Sequence, residues 1–246
     1  AYMYIHDIHI LYYFFIGLLG IGVGQFMNWA NDRLENHEKV FTKEFWIGYL
    51  PHMKINCKLI FSIAIIYIAL LYFFGWQIEL LEYMILAPMF LAAFIIDYRK
   101  QIIPNRLTLT IFEVGLVFAF ISGISSVNIF VDRLLGMVTG AGIFLLITLI
   151  GGAIAGKEAM GFGDVKIMGA LGLVFGLSDI IMISVLSFLL GAVISIVLLV
   201  TKKKGTDEYI PFGPFIIIAT FIVMLVPHNI MLLVLLKIFT LGMYQV

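Results

Sequence analysis

The chain has 246 residues, of which 63% are hydrophobic and 12% charged, with 15 basic residues balancing 15 acidic ones. A soluble domain of this length needs more charge to cover its surface, and zero net charge gives no support for a nucleic-acid partner. The lone cysteine, Cys57, excludes an intrachain disulfide framework and any Cys-pair zinc site, and reads as an ordinary buried or interfacial residue.

The hydrophobicity comes as repeated apolar runs of the length that crosses about 30 Å of hydrocarbon. Helices are the expected form, because a lipid-exposed backbone must satisfy its own hydrogen bonds. The alternating pattern of a transmembrane barrel is missing. The expected fold is therefore all-α: a polytopic integral membrane protein with about nine hydrophobic helical segments and short loops. The spans are read at 8–29, 59–75, 80–96, 107–122, 134–155, 165–177, 180–200, 210–226 and 230–246. The first does not read as a cleavable signal, having no basic region and no clear small-residue cleavage site before Gln25. Its glycines Gly20, Gly22 and Gly24 lie in an apolar run with no preceding strand, so they predict close helix packing rather than a phosphate loop. The third span contains Pro88, which predicts a kink or break. The sixth is short and glycine-rich.

The basic residues test this map. Alternate loops at 30–58, 97–106, 156–166 and 201–209 hold thirteen of the 15 basic residues. The opposite loops hold Arg133 alone, and Lys237 falls inside the last span. By the positive-inside rule the basic loops face the cytoplasm, which puts the N-terminus outside in an inner or plasma membrane. The long loop at 30–58 divides an N-terminal two-span region, 1–78, from the remainder, 79–246. Lys202, Lys203 and Lys204 read as a topology anchor touching anionic lipid.

Two aspartates stand at cytoplasmic span ends. Asp97 follows Phe94-Ile95-Ile96 and precedes Tyr98-Arg99-Lys100. Asp164 closes the run Glu158-Ala159-Met160-Gly161-Phe162-Gly163-Asp164-Val165-Lys166. Ionisable groups near membrane depth are costly and tend to be functional. Gly161 and Gly163 permit positive φ or close backbone approach, so an extended peptide could come near the carboxylate. Asp164 opens a helix, where negative charge is favoured, and Asp97 ends one, where it is disfavoured. The two carboxyls are thus expected to hold different protonation states, one activating a water and the other protonating an amide leaving group, with the roles left open. Neither a Ser–His or Cys–His pairing nor the five histidines (His6, His9, His37, His52, His228) shows a competing catalytic or metal-ligand pattern.

In four pieces the chain resembles the type IV prepilin peptidase family of GxGD membrane aspartic peptidases. These are Gly24-Gln25-Phe26-Met27-Asn28 with Arg33-Leu34; Asp97 with Ile103-Pro104-Asn105 and Leu107-Thr108; Glu158 to Lys166 continuing through Gly169 and Gly176; and Ile210-Pro211-Phe212-Gly213-Pro214-Phe215. The resemblance implies catalytic aspartates at Asp97 and Asp164, with Gly161, Gly163, Glu158, Lys166, Pro104 and Asn105 in supporting motifs. It also implies leader removal, on the cytoplasmic side, from a prepilin-like or pseudopilin precursor. Proteolysis of this kind needs no cofactor. Many bacterial relatives carry paired zinc-holding cysteines in the first cytoplasmic loop and methylate the new N-terminus with S-adenosylmethionine. The loop at 30–58 has no Cys pair, so no zinc is expected, and S-adenosylmethionine is needed only if methylation is retained. Two other readings share the aspartates: a presenilin or signal-peptide-peptidase type of intramembrane protease, and a proton- or ion-coupled transporter. The Ile103-Pro104-Asn105 segment and the Pro211–Pro214 motif fit the prepilin type better, and no repeat-like halves favour a transporter.

Overall fold

The computed structural model describes residues 4–5, 8–36, 38–40, 55–155, 160–201 and 210–239. Glu158, Lys157, Lys202–Lys204, His37, His52 and most of the 30–58 loop lie outside the described residues. The described chain is all-α apart from one small ribbon, and six of its helices are long and apolar enough to cross a membrane. It divides into two compact units: residues 1–100 with 104–107, and residues 101–103 with 108–246.

The first unit opens with a two-stranded antiparallel ribbon, β1 (Tyr4–Ile5) and β2 (Ile8–His9), which hydropathy did not announce. His9 then caps α1 (Ile10–Glu35), accepting a hydrogen bond from the Leu11 amide at 3.3 Å. The helix runs six residues past the expected span end at Trp29. Hydropathy marks where lipid stops, and α1 continues as a polar stretch through Asn31, Asp32 and Arg33. Asn56 caps α2 (Cys57–Phe74), whose first residue is the exposed Cys57. Gly17, Gly20 and Gly24 take Ile68, Ala64 and Ile60 of α2 in turn, an antiparallel register. A methyl at Gly20 or Gly24 would come within 2.7 Å of the α2 backbone. The glycine run is thus a helix-packing seam, as expected, while Gly22 meets nothing.

The third helix, α3 (Ile78–Lys100), passes through Pro88 without interruption. Of the expected kink or break, no break occurs. Proline removes the amide that would bond the Met84 carbonyl one turn earlier. The Tyr67 hydroxyl of α2 supplies the missing donor, at 2.6 Å from that carbonyl. The far end of α3 is tied to α1: Arg99 Nη1 lies 3.2 Å from Glu35 Oε1, and Lys100 Nζ donates to the Glu35 carbonyl at 2.9 Å. Gln101, at φ 57°, terminates the helix in the left-handed region.

The second unit holds α4 (Asn105–Ser125) from Thr108 onward, α5 (Val127–Ala155), α6 (Phe162–Val200), α7 (Gly213–Leu225) and α8 (His228–Phe239). α6 has 39 residues, far more than a membrane crossing needs, but Gly176 breaks it with φ 82° and ψ −177°. The packing against α5 shows what the break does. Gly136 lies against the backbone of Gly172 and Gly176, and Gly140 against the Met168 carbonyl and the Ile180 side chain. The Phe144 and Phe188 rings stack at 5.3 Å. Proceeding along α5, the residues met in 162–175 fall in number while those in 177–200 rise. α6 therefore folds back at Gly176 into two limbs, both packed on α5. The turn is one residue rather than the expected gap after Leu177, because the Asp132 carboxylate of α5 accepts from the Leu177 amide at 3.3 Å and caps the second limb. Near the same turn, His228 Nδ1 of α8 lies 2.9 Å from Asp179 Oδ1. Pro214 stands in the first turn of α7, and the Phe212 ring packs against Phe144, Phe188 and Gly191.

Candidate active site

In the first unit, Leu86, Phe90, Ala93 and Asp97 follow one another along the buried face of α3. That spacing, about one helical turn at a time, keeps them on one stripe. Asp97 is the last of them and is 5% exposed, while Tyr98, Arg99 and Lys100 beyond it are exposed. The carboxylate therefore occupies the position that would carry an apolar side chain if only packing mattered. Burying it is costly unless it is used or compensated. The bonds from Arg99 and Lys100 to Glu35 pin this helix end and so fix the depth at which Asp97 sits.

In the second unit, Gly161 is extended (φ −68°, ψ 140°) and caps α6 without a side-chain bond. Asp164 is in the first turn of that helix, its amide donating to the Gly161 carbonyl at 3.0 Å, and it is 4% exposed. A carboxylate here meets the positive end of the helix dipole. Val165, Ile167 and Met168 bury the turn beneath it, while Lys166 points to the exposed side.

Gly163 works by closeness rather than by unusual backbone. Neither Gly161 nor Gly163 has positive φ; among the described residues only Gly75 and Gly176 are glycines that do. A methyl on Gly163 would lie 3.3 Å from Cβ of Ile103, so its bare backbone makes room for the segment leading into Pro104 and Asn105. Pro104 is buried, Asn105 opens α4 and is exposed, and Pro104 cannot continue a helix from the preceding residues. Asp97 belongs to the first unit and Asp164 to the second. Glu158 lies outside the described residues.

Two buried polar side chains were not singled out from the sequence, Glu82 in α3 and Asn31 in α1, and Arg133, expected in a loop, is instead buried within α5. The available signal was a charge or amide inside or beside an apolar run. Among the described residues, no group of three or more His, Cys, Asp or Glu side chains is arranged to hold a metal ion.

Residues 84–196 match the model of the type IV leader peptidase family. That stretch contains both aspartates, the Gly163 contact and the α6 turn. The chain is 32% identical over 151 residues to a prepilin leader peptidase/N-methyltransferase of Aeromonas hydrophila, covering 61% of this chain and 50% of that protein. It is 34% identical over 153 residues to the Xanthomonas campestris protein of the same name, covering 61% and 50%. The Stutzerimonas stutzeri protein of that name is 30% identical over 175 residues, covering 71% and 57%. The chain thus spans about half the length of the curated relatives it matches. No solved structure matches it. Residues 84–196 of this chain are thus similar to the type IV leader peptidase family.

Proposed function

We propose that the chain is a membrane aspartic endopeptidase that removes the leader peptide from prepilin-like or pseudopilin precursors at the cytoplasmic face of an inner or plasma membrane. The observation that carries this reading is the pair of carboxylates within the family-matched stretch. Each occupies a buried helix-terminal position where packing alone would favour an apolar group. In the proposed reaction one carboxylate, from Asp97 or Asp164, takes a proton from a water, whose oxygen attacks the scissile carbonyl. The other, protonated, gives its proton to the amide nitrogen as the C–N bond breaks, releasing an acid and an amine. Carboxylates that share one water act as a coupled pair, so the roles are not divided between them.

The path through the membrane in this proposal counts α6 as two crossings. With α1 to α5, α7 and α8 this gives nine segments, alternating from an outside N-terminus. The basic loops then all face the cytoplasm, as does the end of α3 bearing Asp97 and the start of α6 bearing Asp164. The peptidase core is taken as 79–246, which contains the family-matched residues. Glu158 and Lys166 are assigned to charging and shaping the Asp164 loop, and Pro104 and Asn105 to fixing the segment that Gly163 receives. The proposal covers peptide cleavage alone. The relatives are also named as methyltransferases, and S-adenosylmethionine enters only if this chain retains that activity.

The test is to incubate the purified chain, in detergent or membranes, with a prepilin-like precursor and to determine the new N-terminus by mass spectrometry. A single cut between the leader and the hydrophobic helix supports the proposal. Cleavage within the hydrophobic helix would instead favour the presenilin-like reading, and no cleavage of any such precursor would remove the peptidase reading.

A further inference from the structure

On α1, Gly20, Gly24, Met27, Asn31 and Leu34 follow one another about one turn at a time along the buried face. Asn31 is the polar member of that stripe. It is 5% exposed, and its amide oxygen is buried with no hydrogen-bond partner among the described residues. A buried acceptor without a donor is destabilising, and an apolar side chain of the same shape would fill the place without that cost. Packing alone therefore does not call for asparagine here. The residue also lies outside the family-matched stretch 84–196.

The ties between α1 and α3 set its level in the first unit. α1 lies antiparallel to α2 through the glycine seam, and the short connection at 75–77 turns the chain back again, so α1 and α3 run in the same direction. At their far ends Lys100 Nζ donates to the Glu35 carbonyl at 2.9 Å and lies 3.7 Å from Glu35 Oε2. Asn31 stands four residues before Glu35 and Asp97 three residues before Lys100, about 6 and 4.5 Å back along their axes. At these spacings each pair shares one side of its helix. Asn31 is thus at the level of Asp97, on the neighbouring helix of the same unit. A peptide that reaches Asp97 comes to the level of Asn31. From this we infer that Asn31 binds the precursor beside Asp97, its buried amide oxygen accepting a hydrogen bond from a backbone N–H next to the scissile bond. The inference rests on the peptidase reading above and adds a substrate-binding residue from α1 to it. An extended peptide carries an N–H at every residue except proline, so it supplies the donor whatever its side chains.

The test measures binding rather than cleavage. A synthetic prepilin-like peptide, spanning the leader and the first turns of the hydrophobic helix, is titrated in mixed micelles against the full chain carrying Asp164→Asn. A series of such peptides replaces one amide near the cut at a time by an ester, which removes a single N–H. With Asn31 present, one ester position is expected to weaken binding about threefold to tenfold, the worth of one neutral hydrogen bond. In Asn31→Leu the all-amide peptide should bind more weakly by the same factor, and the ester at that position should cost nothing further. Asn31→Ala should behave in the same way, which separates the lost amide from a change of shape. An ester penalty undiminished in both variants, or no sensitive position at all, would overturn the inference and leave the peptidase reading standing. Failure of any such peptide to bind the chain would overturn the peptidase reading together with the inference.

Discussion

Tyr67→Phe removes one oxygen atom and leaves the ring in place, so its cost isolates the bond to the Met84 carbonyl. That bond is short, 2.6 Å, and Tyr67 is almost fully buried. In an ordinary helix Met84 would accept from the amide four residues on, but that residue is Pro88. Without the hydroxyl the carbonyl has neither donor. A buried unsatisfied carbonyl costs about 1–3 kcal/mol in soluble proteins, and hydrogen bonds between membrane helices measure about 0.6 kcal/mol on average with a maximum near 1.7. A loss of about 1 kcal/mol is expected, roughly a fivefold fall in the folding equilibrium constant. Pro88→Ala returns the intrahelical amide, so in that background the same tyrosine change should cost close to nothing. The assay is reversible unfolding in mixed micelles, followed by circular dichroism, for the four members of the cycle. An equal cost of Tyr67→Phe with and without Pro88 would refute the claim that the hydroxyl replaces the proline's missing donor.

Three other predictions follow from the packing and the charge map. Gly136→Ala and Gly172→Ala should each destabilise the α5–α6 contact by at least about 1–3 kcal/mol, read as loss of folded yield, because each added methyl meets backbone that cannot step aside. At the α6 turn, Gly176→Ala should cost about 1–3 kcal/mol through its positive φ and the Asp132 carboxylate it would strike, whereas Asp132→Ala should cost about 0.5–2 kcal/mol as a lost cap, measured by the same unfolding assay. Single cysteines introduced near Arg99 and near Lys203, after replacement of Cys57, should resist an impermeant external reagent in intact cells. Labelling at either would invert the charge-based path.

Most of the helical architecture is legible in the sequence because lipid demands long apolar runs and short basic loops, and both survive without knowledge of the packing. The two aspartates are legible for the same reason: a carboxylate beside a span is conspicuous. Helix ends are less so. α1 continues to Glu35 because the hydrogen-bond ladder does not stop where hydrophobicity does. Pro88 reads as a kink or a break, and that the helix continues through it depends on Tyr67, on another helix, which cannot be paired with it by spacing. The turn falls at Gly176, two residues before the expected gap, since the Asp132 carboxylate that caps Leu177 is forty-five positions away from it. The glycines before Asp164 suggest positive φ or the close approach of a substrate peptide, whereas the neighbour that Gly163 admits is the chain's own Ile103. That distinction needs a neighbour's coordinates.

The central claim is that Asp97 and Asp164 work as one catalytic pair, and leader cleavage by Asp97→Asn, Asp164→Asn and the double variant tests it most directly. Asparagine keeps the shape but neither accepts the water's proton nor supplies one to the amine. Each single variant should lose at least about 10²–10⁴-fold in turnover while remaining inserted and folded, and the double variant should be no worse than either single, because residues acting as a unit are not additive. Near-normal turnover by Asp97→Asn beside an inactive Asp164→Asn would contradict the two-carboxylate mechanism.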